Sequence, residues 1–217
     1  MNEQSIPGSS SLRAGSRLGT FPPDLPPDAV PAGTKGRILS CALVAFAERG
    51  FHGTSIRTIA DGCGINSATL YSHFPSKEHI LAALVEIGSR ALLSRLRSHV
   101  IPAESSLDRL DGIVRAAVLA HAQYPLLAVV TNSESYALAP ELRGPAQVAT
   151  VEAAMLLREA LAAGIGDETF AVSDVKVTAR TLEGMAQQIP HWLDPETDKP
   201  ERLAEEYVIL ARRIVGA

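Results

Sequence analysis

From Thr54 to Lys77 the chain reads T-S-I-R-T-I-A-D-G-C-G-I-N-S-A-T-L-Y-S-H-F-P-S-K. Hydroxyls, two cations, a tyrosine and a histidine are set here among regularly spaced apolar residues. On short helices such side chains can give and take hydrogen bonds with phosphates and base edges. Ser55 suits a helix N-cap, and Ile56, Ile59 and Ala60 form the buried face behind it. Gly64 suits a tight turn because it accepts positive φ. Asn66 caps a second short helix that carries Leu70, Tyr71 and Phe74 and ends at Pro75. Two short helices joined at a glycine turn make a helix-turn-helix. Ala60 and Cys63 are small enough for close crossing, and Ile56, Ile59, Ile65 and Leu70 line the inner faces. Ser67, Ala68, Thr69 and Ser72 are left facing outward, a short surface that enters a major groove without steric conflict. Ala68 offers a methyl group to a thymine.

Other chemistries lack a signature. The 217 residues hold no G-x-S-x-G, P-loop, H-E-x-x-H or G-x-G-x-x-G, and no Glu-x-x-His pair for a di-iron bundle. No catalytic, cofactor-binding or metal-ligating set is expected. Cys41 and Cys63 are the two cysteines, which excludes a disulfide scaffold and fits a reducing, cytoplasmic compartment. No run of 18 apolar residues and no secretory h-region occur, so neither a membrane span nor a signal peptide is expected.

The formal charge is −4, an unpromising value for a nucleic-acid binder, but its distribution is polar. Residues 34–100 carry eight basic and four acidic side chains, and residues 101–217 carry ten basic and seventeen acidic ones. A basic module is thus joined to an acidic remainder. Residues 1–33 hold six of the 14 prolines and are expected to be a disordered or extended arm. That arm is either an inert tail or a carrier of Arg13 and Arg17 to a minor groove.

The elements that must position these residues are helices. Apolar periodicity predicts nine, at about 35–49, 55–63, 66–74, 77–100, 106–122, 125–138, 141–163, 173–189 and 200–215, with no convincing strand. Gly50 and Gly164 are expected as C-terminal stops and Ser76 as the cap of the fourth helix. The fold class is all-α: a three-helix, helix-turn-helix domain at 34–80, then a larger helical domain at 81–217.

Residues 35–82 resemble the DNA-binding domain of the TetR family of bacterial transcriptional regulators. Ile38-Leu39, Ala42, Phe46 and Gly50 fit its first helix. Ile59-Ala60, Gly64-Ile65, Thr69-Leu70-Tyr71, His73-Phe74, Ser76-Lys77-Glu78 and Leu81 fit the rest. Asn66 stands where serine is usual and Cys63 where alanine is usual, both mild departures. The resemblance implies a dimer on a near-palindromic double-stranded operator and, as the family norm, repression. It also implies phosphate contacts by Tyr71 and His73 and further phosphate or base contacts by Ser55 and Arg57. Tyr71 is otherwise a core residue, and His73 otherwise an exposed bystander. Lys77 opposes the dipole of the helix it opens, a cost of about 0.3–1 kcal/mol that a phosphate at that helix end offsets.

The resemblance further implies that residues beyond about 100 bind a small molecule and dimerise. The stretch Gly164–Phe170, then Ile189-Pro190-His191-Trp192 and the closing helix, looks like a C-terminal type whose members include some responding to acyl-CoA or sterol-derived thioesters. A pocket between the fourth and eighth helices has His121, Tyr124, Asn132, Tyr136, Met155, Met185, Gln188 and Trp192 as candidate lining residues. His121 is otherwise a satisfied core residue, and Glu134 and Glu152 are read as exposed or salt-bridged. Apolar residues on several faces of helix 7 and small residues on helix 8 predict an isologous dimer through 141–163 and 173–192. The competing function is a helical small-molecule-binding or interaction protein whose helix-turn-helix is only structural.

Overall fold

The computed structural model describes residues 21–100 and 103–217. Among them are nine α-helices and two single turns of 3-10 helix, and no strand. The helices are α1 (Thr34–Arg49), α2 (Ile56–Cys63), α3 (Ser67–His73), α4 (Lys77–Val100), α5 (Ser106–Gln123), α6 (Pro125–Glu134), α7 (Pro140–Gly166), α8 (Val175–Trp192) and α9 (Pro200–Val215).

Local chemistry sets many of the boundaries. The hydroxyl of Ser55 accepts from the Thr58 N–H at 3.0 Å, and Asn66 Oδ1 accepts from the Thr69 N–H at 2.8 Å. Ser105 and Asp174 cap α5 and α8 in the same way. Gly64 ends α2 in the left-handed region at φ 65°, where its N–H reaches the carbonyls of Ala60 and Asp61. At the start of α4 the Ser76 hydroxyl lies 3.0 Å from His79 Nδ1.

α1, α2 and α3 enclose Ile38, Leu39, Leu43, Phe46, Ile59 and Leu70, all buried. α4 begins in this head, contributing Ile80, Leu81 and Leu84, and runs on into the second half, where Leu93 and Leu96 are buried. One rigid element is therefore shared by both ends of the molecule. α4 packs chiefly on α7 and α5, α5 on α9, and α6 touches α1, α4 and α8. Buried Asp111 on α5 takes both Nε and Nη2 of Arg212, fastening α9.

Several boundaries differ from expectation. α6 stops at Glu134 and a 3-10 turn, Ser135–Ala137, replaces its last turn. α7 does not stop at Gly164 but continues to Gly166. A Cβ at 164 would lie 2.0 Å from the Phe170 ring, so this glycine serves a close approach within the helix. α8 runs through Pro190 to Trp192, because a proline in the last turn forfeits only one hydrogen bond. Of the expected arm, residues 1–20, with Arg13 and Arg17, lie outside the described residues. Phe21, inside the arm, is buried in the core, and Leu25 packs beside it. Proline-rich composition gives no sign of that anchor. Among the described residues no single helix is long and apolar enough to cross a membrane.

Candidate nucleic-acid interface and effector cavity

α3 lies with Leu70 inward and Ala68, Tyr71, Ser72 and His73 on the solvent side, while Ser67 and Thr69 are half-buried. Tyr71 is 53% exposed, which removes the core alternative for it. Two of the hydroxyls are engaged within the helix: Thr69 donates to Asn66 Oδ1 at 3.0 Å, and Ser72 donates to the Thr69 carbonyl at 2.7 Å. Their lone pairs stay open to a donor. At the head of α2, Ser55 and Arg57 are exposed, and the guanidinium lies 3.7 Å from Asp61 one turn on. An exposed pair of this kind is weak and readily exchanged for a phosphate. Ser55 and Arg57 at the head of α2 and Ala68, Tyr71, Ser72 and His73 on α3 are thus all accessible from outside the head.

Lys77 is placed differently from expectation. Its ammonium donates to the carbonyls of Phe51 and Thr54, each at 2.7 Å, and stands 4.1 Å from the Phe51 ring. The cation at the start of α4 is thus accounted for by the turn between α1 and α2, whose carbonyls and ring outweigh the dipole cost. Thr54 completes that turn by donating to the Ala45 and Gly50 carbonyls. Arg37 is also committed inside the head: Nη2 donates to the Cys63 carbonyl at 2.8 Å. The Cys63 thiol, buried between these helices, is pushed up to about 12 by desolvation and by neighbouring Cys41. It is a packing group rather than a nucleophile. Hydrogen bonding to Ser76 lowers the Glu78 carboxyl from its ordinary value, with its own backbone N–H assisting.

In the second half α4, α5, α6, α7, α8 and α9 surround a cavity of about 260 Å³. Its wall is mainly aliphatic, with Val85, Leu92, Leu96, Ile113, Val118 and Leu157. Of the eight expected lining residues, His121, Asn132 and Met185 face it, and Tyr124 faces a smaller adjoining cavity of about 40 Å³. Tyr136, Met155, Gln188 and Trp192 do not. Tyr136 projects from the 3-10 turn, Met155 lies on the outer face of α7, and Gln188 and Trp192 lie on the outer face of α8. Ser89, Thr131, Thr150, Arg180, Glu183 and Tyr207 line the cavity and were not anticipated. For Thr131 a signal existed, since it adjoins Asn132; for the others only the packing reveals it.

His121 is 6% exposed. Its Nδ1 lies 2.7 Å from the Ala117 carbonyl, which only accepts, so Nδ1 carries the proton. Nε2 is then an acceptor and takes the Asn132 amide N–H at 3.2 Å. Burial pushes the imidazole below its ordinary pKa, so the ring is a neutral, satisfied wall group.

Glu134 joins the two ends of the molecule. It closes α6, directly after the cavity residues Thr131 and Asn132, and its Oε2 accepts the backbone N–H of Phe51 at 3.0 Å. Neither exposure nor a salt bridge describes it. Glu152, by contrast, does form an ion pair, with Arg97.

Comparison with known proteins follows this division. Residues 38–84 match the family described as bacterial regulatory proteins, tetR family, and residues 103–215 match a tetracyclin repressor-like C-terminal domain. Among relatives, the chain is 37% identical over 109 residues to the transcriptional repressor KstR2 of Mycobacterium tuberculosis, covering 50% of this chain and 54% of that protein. The chain thus spans about half the length of that relative. It is 29% identical over 166 residues to KstR2 of Rhodococcus jostii, covering 76% of this chain and 81% of the relative. The solved structure of the ketosteroid regulator KstR2 of M. tuberculosis has a TM-score of 0.76 at 26% identity, over 85% of this chain and 97% of that one. AibR in complex with isovaleryl coenzyme A and operator DNA has a TM-score of 0.72 at 25% identity, over 80% and 95%.

Proposed function

The chain belongs to the TetR family of bacterial regulatory proteins, and from that premise we propose that it is a homodimeric, ligand-responsive repressor of transcription. The observation that carries this is α3 itself. It is capped by Asn66, held at its inner face by Leu70 and bare on its outer face, where Ala68, Tyr71, Ser72 and His73 lie open. Ser67, Ala68, Thr69 and Ser72 read base edges, while Ser55, Arg57, Tyr71 and His73 take phosphates. Lys77 acts as a brace that fixes the α1–α2 turn against α4.

Dimerisation supplies the second α3. The outer face of α7 exposes Val148, Val151 and Met155 at helical spacing, and that of α8 carries Val177, Thr181, Gly184, Gln188 and Trp192. Two copies of this surface form a four-helix contact about a twofold axis. The axis sets the two α3 helices about 34–36 Å apart, one turn of duplex.

The effector enters the aliphatic cavity. The similarity to proteins named for ketosteroids and crystallised with isovaleryl coenzyme A supports a small hydrophobic effector, an acyl thioester or a sterol derivative. It acts by binding better to a state in which α4 and α6 hold the heads at a different spacing; equal binding to both states shifts nothing.

Footprinting on DNA upstream of the protein's own and neighbouring genes, at near-physiological salt, tests the function. Protection of a near-palindromic site is expected. Equal affinity for random duplex assigns the helix-turn-helix a structural role and overturns the proposal.

A further inference from the structure

Residues 34–77 carry five lysines and arginines against two acidic side chains, Glu48 and Asp61. Three of the five are engaged. Arg37 donates to the Cys63 carbonyl, Lys77 donates to those of Phe51 and Thr54, and Arg57 stands in its exposed pair with Asp61. Lys35 and Arg49 have no hydrogen bond or ion pair among the described residues. Both are exposed, near opposite ends of α1, and at the helical rise their backbones lie about 21 Å apart.

The two ends of α1 meet different parts of the molecule. The Arg49 end runs into Gly50 and Phe51, whose N–H is held by Glu134 of α6, so it adjoins the cavity half. The Lys35 end adjoins α3. The Lys35 ammonium stands 5.4 Å from the centre of the Phe74 ring, and Phe74 closes α3 directly after His73. Phe74 is buried and close-packed, which makes it a fixed seat. A ring attracts a cation without taking up its hydrogen bonds, so the three N–H groups of Lys35 stay open to an acceptor. Lys77, by contrast, gives its own to carbonyls. Within α1 the Lys35 charge has no return, because it lies in the first turn, where a cation opposes the helix dipole.

Resting on the operator reading above, we propose that Lys35 is a further DNA contact: its ammonium, seated on the Phe74 ring at the end of α3, binds a backbone phosphate of the operator beside His73. Its part is affinity rather than readout, since a phosphate carries no base identity. α1 is then held at one end by the duplex and at the other by α6.

The full chain is titrated with two fluorescein-labelled duplexes, one spanning the site protected upstream of its gene and one of random sequence, over a series of salt concentrations. Lys35→Gln, Lys35→Arg and Arg49→Gln are compared with the wild type, their unchanged fold checked by circular dichroism. Lys35→Gln is expected to weaken both duplexes about fivefold to tenfold per bound head at ~0.1 M salt, and to lower the salt slope by about one unit per head. Lys35→Arg should restore the slope, and Arg49→Gln should keep it. A wild-type slope in Lys35→Gln overturns the proposal even if affinity falls, because the loss is then structural; the operator reading stands as long as the protected site is preferred. Equal loss of slope in Lys35→Gln and Arg49→Gln assigns the effect to overall charge and also overturns it. If the wild type does not prefer the protected site to random duplex, the operator reading itself falls.

Discussion

The carboxylate of Glu134 accepts a hydrogen bond from the backbone N–H of Phe51 at 3.0 Å, across 83 residues of sequence. Phe51 lies in the turn that Lys77 braces, and Glu134 follows the cavity residues Thr131 and Asn132 on α6. We expect a shift of α6 on cavity occupation to reach the head through this bond. Glu134→Ala leaves the Phe51 N–H without its acceptor and is expected to cost about 1–2 kcal/mol of stability. Its more telling effect is on coupling. Effector binding, measured without DNA, stays within a few-fold of wild type, while the effector concentration that releases half the operator rises. An unchanged release curve assigns transmission to α4 alone.

Lys77→Met keeps the aliphatic stem and removes the ammonium from two carbonyls and the Phe51 ring. Losing hydrogen bonds from a charged group is expected to destabilise the chain by about 1.5–3 kcal/mol, visible as a lower Tm. The dependence of operator affinity on salt is expected to keep its slope, because the charge is spent inside the protein. A slope lower by about one unit identifies Lys77 as a phosphate contact as well.

How far the sequence disclosed all this depends on the range of each interaction. Caps and turns are local: Ser55, Gly64 and Asn66 were identifiable because their partners lie within four residues. The core face of α1 was visible in the spacing of Ile38, Leu39, Ala42, Leu43 and Phe46. Long-range assignments escaped. Lys77 binds carbonyls 23 and 26 residues away, and no pattern distinguishes a cation that does so from one awaiting a phosphate. Helices α7 and α8 are apolar or small on both faces, so spacing could not tell the cavity side from the outer side. That is why Met155 and Trp192 were expected in the cavity while Glu183 and Thr131 were overlooked. Phe21 is an isolated aromatic in proline-rich sequence, and only the fold shows the core receiving it.

Arg57 and Thr69 are expected to separate affinity from specificity. Arg57→Ala removes an 88% exposed charge and should weaken binding to every duplex, lowering the salt slope by about one unit. Thr69→Ala should instead alter base preference at one position of each half-site, by about 1–3 kcal/mol. A selection of binding sites from random sequence, run on both variants, checks the division. Equal and uniform loss in both assigns Thr69 to the phosphates.

His121 gives the fold a pH dependence. In the unfolded chain the ring takes a proton near its ordinary pKa of 6.5, and burial holds the folded value lower. Between the two values the unfolded chain binds more protons than the folded one, so acid favours unfolding. The contribution of His121 is complete above about pH 6.5 and is lost as the pH falls toward the folded value. Tm is expected to fall between about pH 7.5 and 5.5. His121→Gln should flatten that fall even if it lowers Tm at the upper end. Parallel wild-type and variant curves assign the acid sensitivity to another group.

The outer face of α7 tests the assembly. Val148 is 67% exposed, Val151 52% and Met155 48%, one stripe of apolar surface on a helix whose opposite side holds Leu157 and Leu161 in the core. In the proposed dimer a carboxylate in that stripe enters the contact once from each copy, so its burial penalty is doubled there and absent in a monomer. Val151→Asp is therefore expected to reduce the mass in light scattering at micromolar concentration to that of the 23.0 kDa chain, with little change in helical content. Operator affinity should fall on the order of 100-fold, because each head then binds its half-site without the other. If the variant remains dimeric, the contact lies elsewhere on the surface. If it becomes monomeric yet binds the operator as before, the spacing of two α3 helices is not what recognises the site.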